Sequence, residues 1–128
     1  MLYSIIIPLF NEERRLVKTA ELIFNFFKDH GQKTEIIFVD DGSTDKTLEL
    51  LNNYKKNHEF TIISYSQNRG KGYAVRQGAL AATGDWVIFF DIDLATPLEE
   101  FNNLLNFIKS DDQIILGSRR LKNSHIEK

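Results

Sequence analysis

The chain contains 128 residues, 42% of them hydrophobic and 12% aromatic, which is enough apolar material for the core of one globular domain and argues against disorder. Its formal net charge is −2, with 16 basic residues dispersed among 18 acidic ones, so a nucleic-acid partner is disfavoured. Cysteine is absent, which excludes disulfides and thiolate catalysis, and no apolar run approaches the about 20 residues of a membrane span, so we expect a cytoplasmic protein.

Short runs rich in β-branched and aromatic residues alternate with helical patterns along the chain. Apolar strands that are separated by helices are typical of a parallel sheet with helices on both faces. We therefore predict an α/β, doubly wound, mostly parallel fold with about five strands and four helices. The predicted strands are residues 4–7, 35–39, 61–65, 86–90 and 113–116.

The first and third predicted helices pack through different kinds of side chain. The third, residues 72–82, has the small residues Ala74, Gly78 and Ala82 at helical spacing, which would allow close approach to a sheet. The first, residues 12–29, has a large apolar stripe that should face the core. This stripe consists of Leu16, Ala20, Ile23, Phe24 and Phe27.

The second and fourth helices are predicted from capping signals. Ser43 or Thr44 is a suitable N-cap for the second helix. For the fourth helix, Thr96 is the predicted N-cap and Glu99 completes a capping box. We therefore expect the second helix to begin directly after residue 43 or 44, and the fourth directly after residue 96.

Two carboxylates, Asp91 and Asp93, follow the fourth predicted strand. Residues two apart in extended backbone point the same way, so the two side chains can converge beyond the end of the strand. Ligands of open α/β sheets bind at these carboxyl ends. The repulsion between the carboxylates favours a hard cation, and Mg²⁺ or Mn²⁺ is usually held by one or two carboxylates together with ligand phosphates. The pair therefore predicts a metal site, with acid–base catalysis and phosphoryl transfer still open.

Other strand ends are also polar. Each of them alone has a structural explanation, as a helix start, a turn with a cap or a solvated end. Taken together, however, they direct carboxylates and guanidinium groups to one rim of the sheet. These residues are Asn11 and Glu12 after the first strand, Asp40 and Asp41 after the second, and Arg119 and Arg120 after the fifth.

A Gly-Lys-Gly sequence at residues 70–72 adds a basic group to this rim. Its glycines would let the backbone approach a ligand, while Lys71 can reach a phosphate. The sequence lacks both the P-loop pattern and the dinucleotide fingerprint after the first strand. A diphosphate held by a cation, Lys71 and an arginine is the ligand that fits best.

Five motifs in this chain, taken in order, resemble one known family. They are Ser-Ile-Ile-Ile-Pro-Leu-Phe-Asn-Glu-Glu at 4–13, Val-Asp-Asp-Gly-Ser-Thr-Asp at 39–45, Asn-Arg-Gly-Lys-Gly at 68–72, Asp-Ile-Asp at 91–93 and Gly-Ser-Arg at 117–119. The family they resemble is that of the inverting family 2 glycosyltransferases of GT-A fold, especially the polyprenyl- and dolichyl-phosphate hexosyltransferases. The resemblance spans nearly the whole chain.

The resemblance implies which residues form the site. Asp91 and Asp93 would be the D-x-D motif that contacts the ribose and the metal, and Arg119 would lie near the diphosphate and the incoming phosphate, these three serving catalysis. Adjacent strand residues point to opposite faces, so one member of the pair Asp40 and Asp41 should enter the site, and Asp40 is preferred. The implied nucleotide-binding residues are Pro8, Phe10, Glu12, Asp40, Asp41, Lys71, Asp91 and Ile92.

The resemblance also suggests the substrates. Mannosyl-type members often have a glutamine metal ligand two residues after the D-x-D motif, where this chain has Ala95. The stretch Asp-Ile-Asp-Leu-Ala-Thr at 91–96 looks more like the dolichyl-phosphate glucosyltransferase branch, which uses UDP-glucose. A polyprenyl or dolichyl phosphate acceptor would already be anionic, so no general base would be needed. A saccharide acceptor, which would need a carboxylate base, is the alternative.

The resemblance extends to the organisation of the whole protein. Members of the family have an acceptor-binding half after the Gly-Ser-Arg motif, and many have membrane-associated helices beyond it. We therefore expect residues 1–128 to be one nucleotide-sugar-binding domain that transfers sugar poorly or not at all by itself. The full-length protein would then work at the cytoplasmic face of a membrane.

Two other classes share part of the pattern. In a response-regulator receiver domain an acid pair ends the first strand, whereas Asp40 and Asp41 follow the second. A haloacid-dehalogenase phosphatase needs a threonine at the position of Ala95, and Thr96 comes one residue late. Both classes are therefore disfavoured.

Overall fold

The computed structural model describes residues 1–108, in which strands and helices alternate. Four parallel strands form one sheet in the order β3-β2-β1-β4. The predicted α/β fold is therefore confirmed, while the predicted strand 113–116 and Arg119 lie outside the described residues. The elements are β1 (Leu2–Leu9), α1 (Glu13–Asp29), β2 (Lys33–Asp41), α2 (Thr47–Tyr54), β3 (Thr61–Tyr65), α3 (Lys71–Ala81), β4 (Trp86–Phe89) and α4 (Glu100–Phe107).

Helix α3 covers one face of the sheet at close range. Ala74 of this helix is buried in a cluster with Ile6, Ile37 and Val39. A Cβ atom on Gly78 would lie 2.5 Å from the Cγ2 atom of Ile6, so the small residue at this position is required by the packing. The predicted close approach of the third helix to the sheet is confirmed.

Helix α1 covers the opposite face through aromatic contacts. Phe38 alternates with the residues that face α3, and its ring meets the ring of Phe24 edge-on, with 6.0 Å between the centroids. Phe60 stacks on Phe24 at 5.2 Å. The whole predicted stripe of α1 is buried, which confirms it: Leu16, Ala20, Ile23, Phe24 and Phe27.

The chain divides into two compact units, Met1–Leu98 and Glu99–Lys128. The first unit contains the sheet and helices α1 to α3, and α4 belongs to the second. Among residues 1–108, no helix is long and apolar enough to cross a membrane.

The starts of α2 and α4 differ from the prediction. Helix α2 begins at Thr47, two or three residues later than a cap at Thr44 or Ser43 would require. Helix α4 begins at Glu100, with Glu99 at the N-cap position and no side-chain cap, so the predicted capping box is wrong. In both places the polar residues lie in loops that precede the helix.

Candidate functional site

A cavity of about 460 Å³ opens in the first unit at the carboxyl ends of β1, β2 and β4. The sheet order reverses between β1 and β4, and this kind of switch point is where open α/β sheets bind ligands. Most of the residues predicted for the site are brought together here. The cavity is lined by Pro8, Leu9, Phe10, Glu12, Arg15, Asp41, Asn68, Gly70, Lys71, Ala74, Asp91, Ile92 and Asp93.

Of the two neighbouring aspartates in β2, it is Asp41 that lines the cavity. Strand β2 continues through both residues, with Asp40 paired to Leu9 of β1 and Asp41 paired to Tyr65 of β3. Their side chains therefore point to opposite faces of the sheet. Asp40 is buried, and its Oδ1 accepts a hydrogen bond from the Ser43 N–H at 3.2 Å. Asp40, the residue preferred from the sequence, is not among the residues that line the cavity.

The Asp41 carboxylate anchors the loop that precedes α3. Its Oδ1 accepts hydrogen bonds from the Tyr65 hydroxyl at 2.6 Å and the Arg69 N–H at 3.0 Å, and its Oδ2 accepts from Asn68 Nδ2 and the Gly70 N–H, both at 2.9 Å. Burial raises the pKa of Tyr65, and the hydrogen bond to Asp41 and the charge of Asp41 raise it further. Tyr65 therefore remains a proton donor.

The backbone of the β2–α2 loop passes very close to the same loop. Gly42 has a φ of 71°, a backbone conformation that residues other than glycine rarely adopt. A Cβ atom on Gly42 would lie 2.4 Å from the backbone nitrogen of Asn68. The glycine after the two aspartates thus lets this loop contact the cavity-lining segment before α3.

Helix α3 presents its amino terminus and a lysine to the cavity. Gly70 is the N-cap, with a φ of 95° and no side-chain cap, and Lys71 is the first helical residue. A helix amino terminus carries partial positive charge that favours anions. Lys71 Nζ pairs with Asp91 Oδ1 and lies 5.7 Å from the centroid of the Phe89 ring. Positive charge is therefore concentrated on this side of the cavity.

The D-x-D segment forms a turn rather than a strand extension. Strand β4 ends at Phe89, the Leu94 N–H donates to the Asp91 carbonyl at 3.0 Å, and Leu94 has a φ of 52°. Asp93 Oδ1 accepts from the Ala95 N–H at 3.0 Å. The expectation that Asp91 and Asp93 converge through strand alternation is therefore wrong. A turn brings both to the same cavity, with Ile92 buried between them.

The donor set fits a cation that is shared with a ligand. Among residues 1–108, no group of three or more His, Cys, Asp or Glu side chains could hold a metal ion. Asp91 and Asp93 alone supply two carboxylates, and the remaining ligands would come from a diphosphate and water, as is usual for Mg²⁺. The residues therefore fit Mg²⁺ or Mn²⁺ bound together with a phosphate-containing ligand.

The β1–α1 loop forms another wall of the cavity and is tied to the β2–α2 loop. Asn11 adopts a φ of 49°, and its Oδ1 accepts from the Thr44 N–H at 2.8 Å while its own N–H donates to Ser43 Oγ at 2.9 Å. These bonds use the two residues that were predicted to cap α2. They also fix the position of Phe10, whose side chain lines the cavity and is 44% exposed.

A second set of bonds joins the same two loops. The Glu12 N–H donates to Thr47 Oγ1 at 3.0 Å, and the Glu13 N–H donates to Asp45 Oδ2 at 3.3 Å. Burial acts to raise the pKa of Asp45, but the hydrogen bonds from Thr47 and Glu13 outweigh it and lower the pKa below its ordinary value. Asp45 is therefore ionised, and its hydrogen bonds help to join the two loops behind the cavity wall.

Two polar side chains that line the cavity, those of Arg15 and Asn68, were not predicted from the sequence. Arg15 lies one helical turn after Glu12, and its Nη1 is 3.3 Å from Glu12 Oε1, so the i, i+3 spacing was an available signal. Asn68 belongs to the motif at 68–72, but no role was predicted for it. Arg119, which was predicted from the sequence, lies outside the described residues.

Known proteins resemble this chain in sequence and in fold. The family model described as Glycosyl transferase family 2 matches residues 4–128. A dolichyl-phosphate β-glucosyltransferase of Saccharomyces cerevisiae is 40% identical over 82% of this chain and 34% of its own length. A dolichyl-phosphate β-glucosyltransferase of Trichomonas vaginalis is 36% identical over 91% of this chain and 39% of its own length.

Solved structures show the same architecture. A mannosyltransferase from Pyrobaculum calidifontis in complex with GDP-Man and Mn²⁺ superposes with a TM-score of 0.68 and 26% identity, covering 80% of this chain and 31% of that one. A glucosyl-3-phosphoglycerate synthase from Mycobacterium tuberculosis in complex with Mn²⁺, UDP and glucosyl-3-phosphoglycerate superposes with a TM-score of 0.60 and 29% identity, covering 80% of this chain and 37% of that one. The chain thus spans between 31% and 39% of the length of these relatives and structures.

Proposed function

The chain belongs to glycosyl transferase family 2, and from this we propose that it forms the nucleotide-sugar-binding part of a hexosyltransferase. One observation carries the proposal: a single cavity at the switch point of the sheet gathers the D-x-D carboxylates, a lysine at a helix amino terminus and an exposed aromatic wall. These are the groups that a nucleoside diphosphate with a divalent cation needs.

The diphosphate would bind between α3 and the D-x-D turn. Lys71 and the amino terminus of α3 provide positive charge for its oxygens, and Asp91 and Asp93 are the residues that would hold the cation. When bound, the cation would stabilise the negative charge that develops on the leaving diphosphate. On the basis of the motif at 117–119, we propose that Arg119 also stabilises the negative charge on the leaving diphosphate.

The nucleoside would lie against the β1–α1 wall. Phe10 offers an exposed apolar ring to a base, and Pro8 extends the same surface. Glu12 and Asp41 supply acceptors at the edges, but the Asp41 oxygens already accept four hydrogen bonds. We assign Asp41 to this wall in place of Asp40, because Asp41 is the member of the pair that lines the cavity.

UDP-glucose is the proposed donor, and a dolichyl or polyprenyl phosphate is the proposed acceptor. The support comes from relatives named dolichyl-phosphate glucosyltransferases and from Ala95, which stands where mannosyl-type members often have a glutamine. A phosphate acceptor is already anionic, so the protein must position it and screen its charge rather than remove a proton. A lipid acceptor would also place the full-length protein at the cytoplasmic face of a membrane.

Calorimetric titration of the chain with UDP and GDP, with and without Mn²⁺, tests this proposal. We expect UDP to bind more tightly with Mn²⁺ than without it, and Asp93→Asn to lose most of that increase because one cation ligand is removed. Asp29→Asn is the matched control, since Asp29 is exposed at the end of α1 and does not line the cavity. If neither nucleotide produces heat at millimolar concentration, the proposed function is wrong.

A further inference from the structure

An ion pair lies across the cavity at the place proposed for the cation. Lys71 Nζ contacts Asp91 Oδ1, and the two side chains are 55% and 44% exposed. Both residues line the cavity. One of the two carboxylates that could hold a cation is therefore already neutralised by a cationic group of the protein.

The ammonium group and a divalent cation exclude each other at this oxygen. Two positive charges that share one carboxylate oxygen would repel each other, so a metal ion binds Asp91 fully only after Lys71 has moved. A diphosphate, in turn, competes with Asp91 for the same ammonium group. The pair thus connects the binding of the anion to the binding of the cation.

We propose that Lys71 couples the two ligands by acting as an exchangeable counter-ion: it neutralises Asp91 in the empty cavity, and a nucleoside diphosphate draws it away and so completes the cation site. The part of this coupling that involves the nucleoside diphosphate rests on the proposed function. Lys71 is a positioning residue in this role, because it controls the availability of Asp91.

The surroundings of Lys71 favour such an exchange. Lys71 is the first residue of α3, where the positive end of the helix disfavours a cation and favours an incoming anion. Its side chain is more than half exposed, so its contact with Asp91 is a weakly stabilised surface pair. The Nζ atom also lies over the ring of Phe89, which offers a second favourable contact on the same side of the cavity.

Binding of Mn²⁺ alone, without nucleotide, separates this coupling from the proposed function. The signal of free Mn²⁺ in electron paramagnetic resonance gives the dissociation constant for the wild type, Lys71→Met and Lys71→Gln. We expect both variants to bind Mn²⁺ about three- to tenfold more tightly than the wild type, because the competing cation has been removed. Lys71→Arg, which keeps the positive charge, should remain close to the wild type.

Arg76→Met is the matched control. Arg76 is exposed on the same helix and does not line the cavity, and its removal causes the same loss of net charge. We expect this variant to bind Mn²⁺ with an affinity within about twofold of the wild type, since Arg76 does not line the cavity and salt weakens interactions between exposed charges. Circular dichroism of each variant verifies that it is folded.

A second titration, with UDP present, measures the coupling itself. UDP should increase the Mn²⁺ affinity of the wild type by a larger factor than that of Lys71→Met, because only the wild type has a counter-ion to displace. The coupling is wrong if Lys71→Met and Lys71→Gln bind Mn²⁺ no more tightly than Arg76→Met, or show no measurable Mn²⁺ binding. Failure of UDP to bind the wild type would instead contradict the proposed function and leave the Mn²⁺ comparison unaffected.

Discussion

At the scale of single residues, loop contacts decide how the cavity is built. Gly42 places the β2–α2 loop against the backbone of Asn68, and Asn11 holds the β1–α1 loop against Thr44. These contacts are made by residues that local patterns identify only as turn or cap formers. The position of the cavity walls therefore depends on pairs of loops that are distant in sequence.

Replacement of Gly42 by alanine should destabilise the fold through two separate effects. The left-handed backbone costs an alanine about 1–2 kcal/mol, and the contact of its Cβ with Asn68 adds about 1–3 kcal/mol. Gly31→Ala is the control, because Gly31 also has a positive φ, 84°, but has no atom within 4 Å of an added Cβ. Urea unfolding gives the loss of unfolding free energy for both variants, and the difference between the two losses is the cost of the contact with Asn68. Equal losses would contradict the close approach of Gly42 to Asn68.

Some positions in the cavity follow from residue type and others depend on partners distant in sequence. Asp91, Asp93 and Lys71, whose charges and spacing are visible in the sequence, do line one cavity. The choice between Asp40 and Asp41 could not be made in this way, because it depends on strand β2 continuing to Asp41. A strand that ended earlier would have freed both side chains from the alternation.

At the scale of elements, apolar periodicity predicted α1 and its buried stripe. The spacing of the apolar residues along the helix already places them on one face, and that face packs against the core. The start of α2 was not predictable from capping preferences, since Ser43 and Thr44 bond to Asn11 on another loop. Tertiary hydrogen bonds thus replaced the local caps.

The amino-terminal ends of the strands are joined by Glu35, at the end of the sheet opposite the cavity. This carboxylate accepts hydrogen bonds from Ser4 Oγ at 2.5 Å, from the Thr83 N–H at 2.6 Å and from the Gly84 N–H at 3.2 Å. Burial alone would raise the pKa of Glu35, but these hydrogen bonds outweigh it and lower the pKa below 4.5. One ionised side chain therefore links β1, β2 and the segment before β4.

This lowered pKa predicts a pH dependence of stability. Because the pKa of Glu35 is lower in the folded than in the unfolded chain, its contribution is present above about pH 4.5 and is lost as the pH falls through the folded-state value. Glu35→Gln should therefore reduce the free energy of unfolding at pH 7 and flatten its decline below pH 4.5. Part of the decline in unfolding free energy should remain in this variant, because the pKa of Asp45 is also lowered in the folded chain.

Urea unfolding between pH 3 and pH 7 measures this effect. Glu59→Gln is the matched control, because Glu59 is an exposed residue in the loop between α2 and β3. The Glu35 linkage would be refuted if Glu35→Gln and Glu59→Gln gave parallel curves of unfolding free energy against pH.

At the scale of the whole molecule, all the residues that line the cavity belong to the unit Met1–Leu98. The matched relatives and solved structures are between about two and a half and three times as long as the aligned part. The proposed nucleotide and cation binding therefore belongs entirely to this unit, at the switch point of its sheet.

The location of the bound cation shows whether Asp91 and Asp93 hold the metal. A crystal structure of the chain with UDP and Mn²⁺, in which anomalous scattering identifies the metal, should place Mn²⁺ between the diphosphate and the carboxylates of Asp91 and Asp93. Lys71 should then contact a phosphate oxygen rather than Asp91. Mn²⁺ bound away from both aspartates, or UDP bound outside the cavity, would contradict the proposed nucleotide and metal site.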